Sequence, residues 1–142
     1  MGVKNVPRGF PGFALYVLPL LAYCCALFYV SSLPQPPMPD LGFDWGDKLA
    51  HAGAFFLMAL FAYRAAGWIF PGKSLGRTIV IGICFASLYG ATDEIHQYFV
   101  PERSADILDW VADTTGAILS APALLLLHRL KPIRTADILR DR

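Results

Sequence analysis

Three short segments of this chain hold nearly all the residue types that do chemistry. Asp47, Lys48 and His51 form the first, Asp93, Glu94 and Gln97 the second, and Arg103, Asp106, Asp109 and Asp113 the third. Carboxylates near an imidazole can take and give protons or hold a metal, and a guanidinium can grip a phosphate. Asp47 and His51 are four residues apart, as are Asp93 and Gln97, so each pair shares a helix face. Asp106, Asp109, Asp113, Gly116 and Ser120 fall on one stripe at helical spacing. No HExxH or GxSxG occurs, and Ser87 and Ser104 lack a helix-spaced base, so a nucleophile motif is missing.

The elements that must position these residues are apolar helices. Hydrophobic residues make up 56% of the 142 residues and charged ones 16%, against about 25% in soluble domains. Four apolar runs are long enough to cross a bilayer, which takes about 20 residues. They cover Phe13 to Val30, Leu49 to Phe70, Thr78 to Tyr98 and Ile107 to Leu127. A soluble bundle would carry polar stripes, and the first and third runs have none in their middles. The predicted fold class is all-α, an integral membrane four-helix bundle. Residues 1–11 are expected as a cytoplasmic segment, 12–128 as the transmembrane domain and 129–142 as a basic cytoplasmic tail. The first run is long for a signal peptide and no cleavage site follows it, so it is expected to stay. The loop from Ser31 to Asp47 is rich in proline and glycine and reads as extended. Cys24, Cys25 and Cys84 lie inside apolar runs and read as packing residues.

Charge is segregated along the chain. Alternating the spans puts Lys4, Arg8, Arg64, Lys73, Arg77, Arg129, Lys131, Arg134, Arg140 and Arg142 on one side, with only Asp137 and Asp141 acidic. The other side holds Asp40, Asp44, Asp47, Asp93, Glu94, Glu102, Asp106, Asp109 and Asp113, with only Lys48 and Arg103 basic. Lysine and arginine near span ends stay cytoplasmic, so both termini are expected inside and the acidic ends outside.

Small residues suggest how the helices meet. Gly82, Ala86 and Gly90 form a ridge on the third helix, and Gly116 and Ser120 one on the fourth. Such ridges permit close approach in a membrane. Packed on each other, they would bring Asp93 and Gln97 toward Asp109 and Asp113, with His51 joining from the second helix. Clustered carboxylates repel, so a proton, a cation or a basic side chain (Arg103, Lys48 or a charged His51) must compensate.

These motifs resemble those of the VanZ-like family of small bacterial membrane proteins. The likeness rests on Ser31-Ser32-x-Pro34, Asp47-Lys48-x-x-His51, Asp93-Glu94-x-x-Gln97-x-x-x-Pro101-x-Arg103 and Asp106-x-x-Asp109-x-x-x-Asp113-x-x-Gly116, in that order. It covers about Leu18 to Leu127. The family often has asparagine where this chain has Asp113, and His96 is not a motif position. The resemblance implies a polytopic protein of the bacterial cell membrane. The family's name comes from teicoplanin resistance, and the resemblance implies no molecular activity.

Each segment has a functional and a structural reading. His51, Asp93, Glu94 and Asp109 are the candidate catalytic residues, as acid, base or metal ligands. Asp47, Lys48, Gln97, Arg103, Asp106 and Asp113 are the candidate substrate-binding residues. Structurally, His51 would bond Asp47, Arg103 would pair with Asp106 or Asp109, Lys48 would snorkel, and the dipole would favour Asp106. Metal and cofactor stay open, as does catalysis. The expected partners are the lipid bilayer and an envelope lipid or lipid-linked precursor, with oligomers allowed and no nucleic acid. The competing readings are a non-catalytic scaffold and a small oligomeric transporter.

Overall fold

The structure, a computed structural model, describes residues 9–35 and 45–130. Most of the expected N-terminal segment, the middle of the proline-rich loop with Asp40 and Asp44, and the basic tail from Lys131 lie outside the described residues. The described chain forms five helices: α1 (Phe10–Tyr16), α2 (Leu18–Ser31), α3 (Gly46–Ile69), α4 (Leu75–Gln97) and α5 (Ile107–Leu130). Helices α3, α4 and α5 are each long and apolar enough to cross a membrane. The count is four if α1 and α2 together make one span.

That first span is bent by 45° at Val17, where one continuous helix was expected. Pro19 explains the break. It has no N–H to give the carbonyl of Leu15, and its ring crowds that carbonyl. Arg64 of α3 supplies a substitute donor: its guanidinium lies 3.4 Å from the Leu15 carbonyl oxygen and stacks 5.5 Å from the centre of the Tyr16 ring. The one arginine inside the second apolar run therefore mends a proline break in the first.

The packing is that of a protein dissolved in lipid. The interior is built of small residues, among them Ala59, Ala62, Ala65, Ala66, Ala86 and Ala117 around Met58 and Phe55. Large apolar side chains such as Leu88, Ile118, Leu119 and Leu126 face outward. A third or less of each long span is buried within the protein. In a bilayer nothing drives leucine inward, and small residues let backbones close.

Glycines mark the closest approaches. A Cβ at Gly116 would lie 1.9 Å from the Ala52 carbonyl oxygen, so α5 seats directly on α3. A Cβ at Gly82 would lie 2.9 Å from the Ala59 carbonyl oxygen, so α4 seats on α3 as well. The expected close approach of α4 to α5 occurs at Gly90, where a Cβ would lie 3.2 Å from Asp113 Cβ, while Gly82 and Gly116 of the same ridges seat on α3 instead. Polar ties complete the bundle. Tyr23 of α2 donates to the Ala54 carbonyl at 2.9 Å, and Tyr89 of α4 donates to the Cys24 carbonyl at 2.7 Å. Trp110 of α5 donates to the Ser87 carbonyl at 3.0 Å, and Ser87 and Thr114 share a 2.8 Å bond.

Candidate functional site

Helices α3 and α5 run the same way and α4 runs against them, so the start of α3, the end of α4 and the start of α5 meet at one end of the bundle. Asp106 opens α5: its Oδ1 accepts from the Leu108 N–H at 2.8 Å, the bond of a helix N-cap. Its backbone N–H donates to Glu94 Oε2 at 2.7 Å, which ties the α4–α5 turn to α4. Glu102, in that turn, has a φ of 64°, and the turn brings Arg103 back onto α4.

Lys48 is the cation of the outer layer. Its Nζ lies 2.6 Å from Asp109 Oδ1, 2.7 Å from Asp106 Oδ2 and 3.1 Å from Asp47 Oδ2. The Lys48 ammonium, with the Leu108 N–H, holds the Asp106 carboxyl below the usual carboxylate range. Lys48, read structurally as a snorkelling residue, has its ammonium held by these three carboxylates.

One turn further in, His51 and Asp113 form the inner layer. His51 Nδ1 and Asp113 Oδ1 are 2.9 Å apart, and His51 Nε2 lies 3.8 Å from Asp109 Oδ1. Asp113 is fully buried, and Glu94 is 7% exposed. Asp113 Oδ2 and Glu94 Oε1 are buried with no hydrogen-bond partner. A Cβ at Gly90, one turn before Glu94, would lie 2.8 Å from Asp113 Oδ2, so that glycine makes room for the carboxylate. His51 pairs across helices with Asp113 rather than along its own helix with Asp47.

Asp93 and Gln97 form a separate group. Gln97 Nε2 donates to Asp93 Oδ2 at 2.8 Å, and Arg103 donates to Gln97 Oε1. Among the described residues neither Asp93 nor Gln97 hydrogen-bonds Asp109 or Asp113. Among the described residues Arg103 makes no ion pair with Asp106 or Asp109, both of which pair with Lys48. Of the expected convergence, His51, Asp109 and Asp113 come together, joined by Glu94, which was not expected there, while Asp93 and Gln97 bond each other and Arg103 bonds Gln97.

Two histidine contacts lie outside the expected set. His96 Nε2 is 3.0 Å from Ser32 Oγ and its ring stacks on Phe28 at 4.5 Å, which fastens the end of α2 to α4. Ser32 belongs to a motif read only as a loop start, so its type was a usable signal. At the opposite end of the bundle, the Tyr63 hydroxyl and His128 Nε2 are 2.5 Å apart. His128 was visible as an ionisable group at the end of an apolar run.

Two open grooves flank the cluster. One, of about 490 Å³, lies between α4 and α5, with Ala91, Ile95, Ile107 and Trp110 as apolar walls and Glu94 and Asp106 at its polar side. The other, of about 460 Å³, lies between α3 and α5 and reaches Lys48 and Trp45.

Fold and cluster together define a class: a multi-pass helical membrane protein, in contact with the lipid bilayer, with ionisable side chains gathered at one end of its bundle. Residues 20–128 match the VanZ/LLP1 family, and the chain belongs to it. No curated protein and no solved structure matches the chain.

Proposed function

We propose that this protein works at the acidic end of its bundle, on the outer face of a bacterial cell membrane, where it binds an envelope lipid or a lipid-linked precursor. The observation that supports this best is the groove between α4 and α5. Its walls are apolar, and it runs to Glu94 and Asp106. A chain laid against Ile95, Ile107 and Trp110 would bring its headgroup to the cluster. The size falls within the range of small-molecule sites, about 300–1,000 Å³.

The His51–Asp113 pair supports acid-base chemistry on the bound headgroup. A buried carboxylate that holds one ring nitrogen fixes the orientation of the imidazole and leaves the other nitrogen available. Glu94 and Asp109 would be the neighbouring acid and base, with Asp47, Lys48 and Asp106 as the charged rim. A protein that binds the same lipid without turnover would use the same contacts. For Asp93, Gln97 and Arg103 a scaffold role is favoured, because each bonds the next in line.

The orientation belongs to the same proposal, with both termini cytoplasmic as the basic span ends suggest. A reporter fused after Pro36 is expected to be active only outside the cytoplasm, and a cytoplasmic signal would overturn the orientation.

The binding claim is tested by co-purification. Protein extracted with native lipid is expected to carry a lipid adduct in native mass spectrometry. Ile95→Trp, which fills the groove, is expected to reduce that adduct at least about tenfold. Equal adducts in both proteins would remove the groove from the proposal. A link to glycopeptides, which the family name suggests, predicts lowered teicoplanin susceptibility in a sensitive host that expresses the wild type. Asp113→Asn at matched membrane level is expected to give no protection.

A further inference from the structure

The inner layer has a charge imbalance that the outer layer lacks. Lys48 serves Asp47, Asp106 and Asp109, and it makes no ion pair with Glu94 or Asp113. Those two carboxylates are the most deeply buried of the cluster, and each keeps one oxygen without a partner. An unpaired carboxylate oxygen taken out of water is costly. Among the described residues their one basic partner is His51. One ligand atom from each of His51, Glu94 and Asp113 lies within 4.8 Å of the other two.

The geometry points to a divalent transition-metal site at His51, Glu94 and Asp113. The three ligands come from α3, α4 and α5, so an ion there would pin the three long helices together. One imidazole nitrogen with two carboxylate oxygens is a donor set for zinc or manganese. Calcium and magnesium favour oxygen alone. The ion would offset the charge of the two buried carboxylates, each of which has an oxygen without a partner. Asp109 borders the site through His51 Nε2 but is committed to Lys48. Gly90 is part of the construction, since a side chain there would collide with Asp113 Oδ2. With three protein ligands a zinc ion would keep a position open for a further ligand.

This inference rests on the acidic end as the working site, and it is tested by metal content, not by lipid. Full-length protein in detergent is stripped with chelator, equilibrated with Zn²⁺, desalted and assayed for metal. The wild type is expected to retain about one zinc ion per chain. Glu94→Gln and Asp113→Asn are expected to bind at least about tenfold more weakly, with helix content unchanged by circular dichroism. Asp93→Asn, outside the ligand set, is expected to bind as the wild type does. X-ray absorption on the zinc-loaded wild type decides the matter if the variants do not fold. An imidazole with oxygen ligands and no sulfur supports the site. The site is overturned by no retained zinc or manganese, by variants that bind at wild-type affinity, or by a spectrum without imidazole. Zinc retained by a protein that carries no lipid adduct would separate the two proposals.

Discussion

Asp113 sits in the most demanding environment of the chain. It is fully buried, has one oxygen on His51 and the other without a partner. Removing one member of a buried pair strands the other, at a cost of about 3 kcal/mol. His51→Ala is therefore expected to lower the melting temperature in detergent, and His51→Ala with Asp113→Leu to lower it less than the single change. A double variant less stable than His51→Ala would mean the pair is not coupled. Asp106 gives a pH prediction. Lys48 holds its carboxyl below the ordinary range, so its contribution is complete above the unfolded value of about 3.9. That contribution is lost as pH falls through the lower, folded value. The wild type is expected to melt above Asp106→Asn at neutral pH, with the gap closing in acid, and a gap constant with pH would contradict the assignment.

The spacing in the sequence gave faces within a helix and left partners between helices open. Asp47 and His51 do share a face, yet His51 turns to Asp113, because α5 lies closest to α3 where Gly116 meets Ala52. Arg103 was read toward Asp106 or Asp109, but the turn around Glu102 returns it to Gln97. Neither outcome depends on local spacing, since both follow from which helix pair closes.

At the scale of elements, that closure is testable by two glycines. Gly116→Ala drives a methyl into the Ala52 carbonyl and is expected to destabilise the bundle by about 1–3 kcal/mol. Gly53→Ala meets nothing within 4 Å and is expected to be neutral or to stabilise by up to about 1 kcal/mol. The two melting temperatures are compared directly, and equal values would contradict the contact. The three long helices were legible from apolar runs bounded by glycine, proline and charge. Their ends differ from the expectation by a few residues. The bend in the first span was also written in the sequence, as Pro19 within the run, but an apolar run measures length and not straightness. The role of Arg64 was not legible, because the carbonyl that Pro19 leaves without a donor is served from another helix, 49 residues away in sequence.

At the scale of the whole molecule, large residues outward and small residues inward identify lipid as the solvent of this fold. The same segregation places ionisable groups at helix ends, where they cost least and act most readily. Charge signs along the chain made the acidic end visible, and the motif order made the family visible. Neither reveals a groove, since a groove is the gap between two helices whose spacing depends on every contact along them. Between the spans the buried apolar cluster is built on Met58, Phe55, Leu20 and alanines. The central claim is that the α4–α5 groove receives an envelope lipid. The most direct measurement replaces Ile107 with a photo-crosslinking residue in living cells and identifies the adduct by mass spectrometry, with Leu125 as the control at the other end of α5. The account predicts a distinct lipid or lipid-linked species at position 107 that is absent at 125. The same bulk phospholipids at both positions would contradict it.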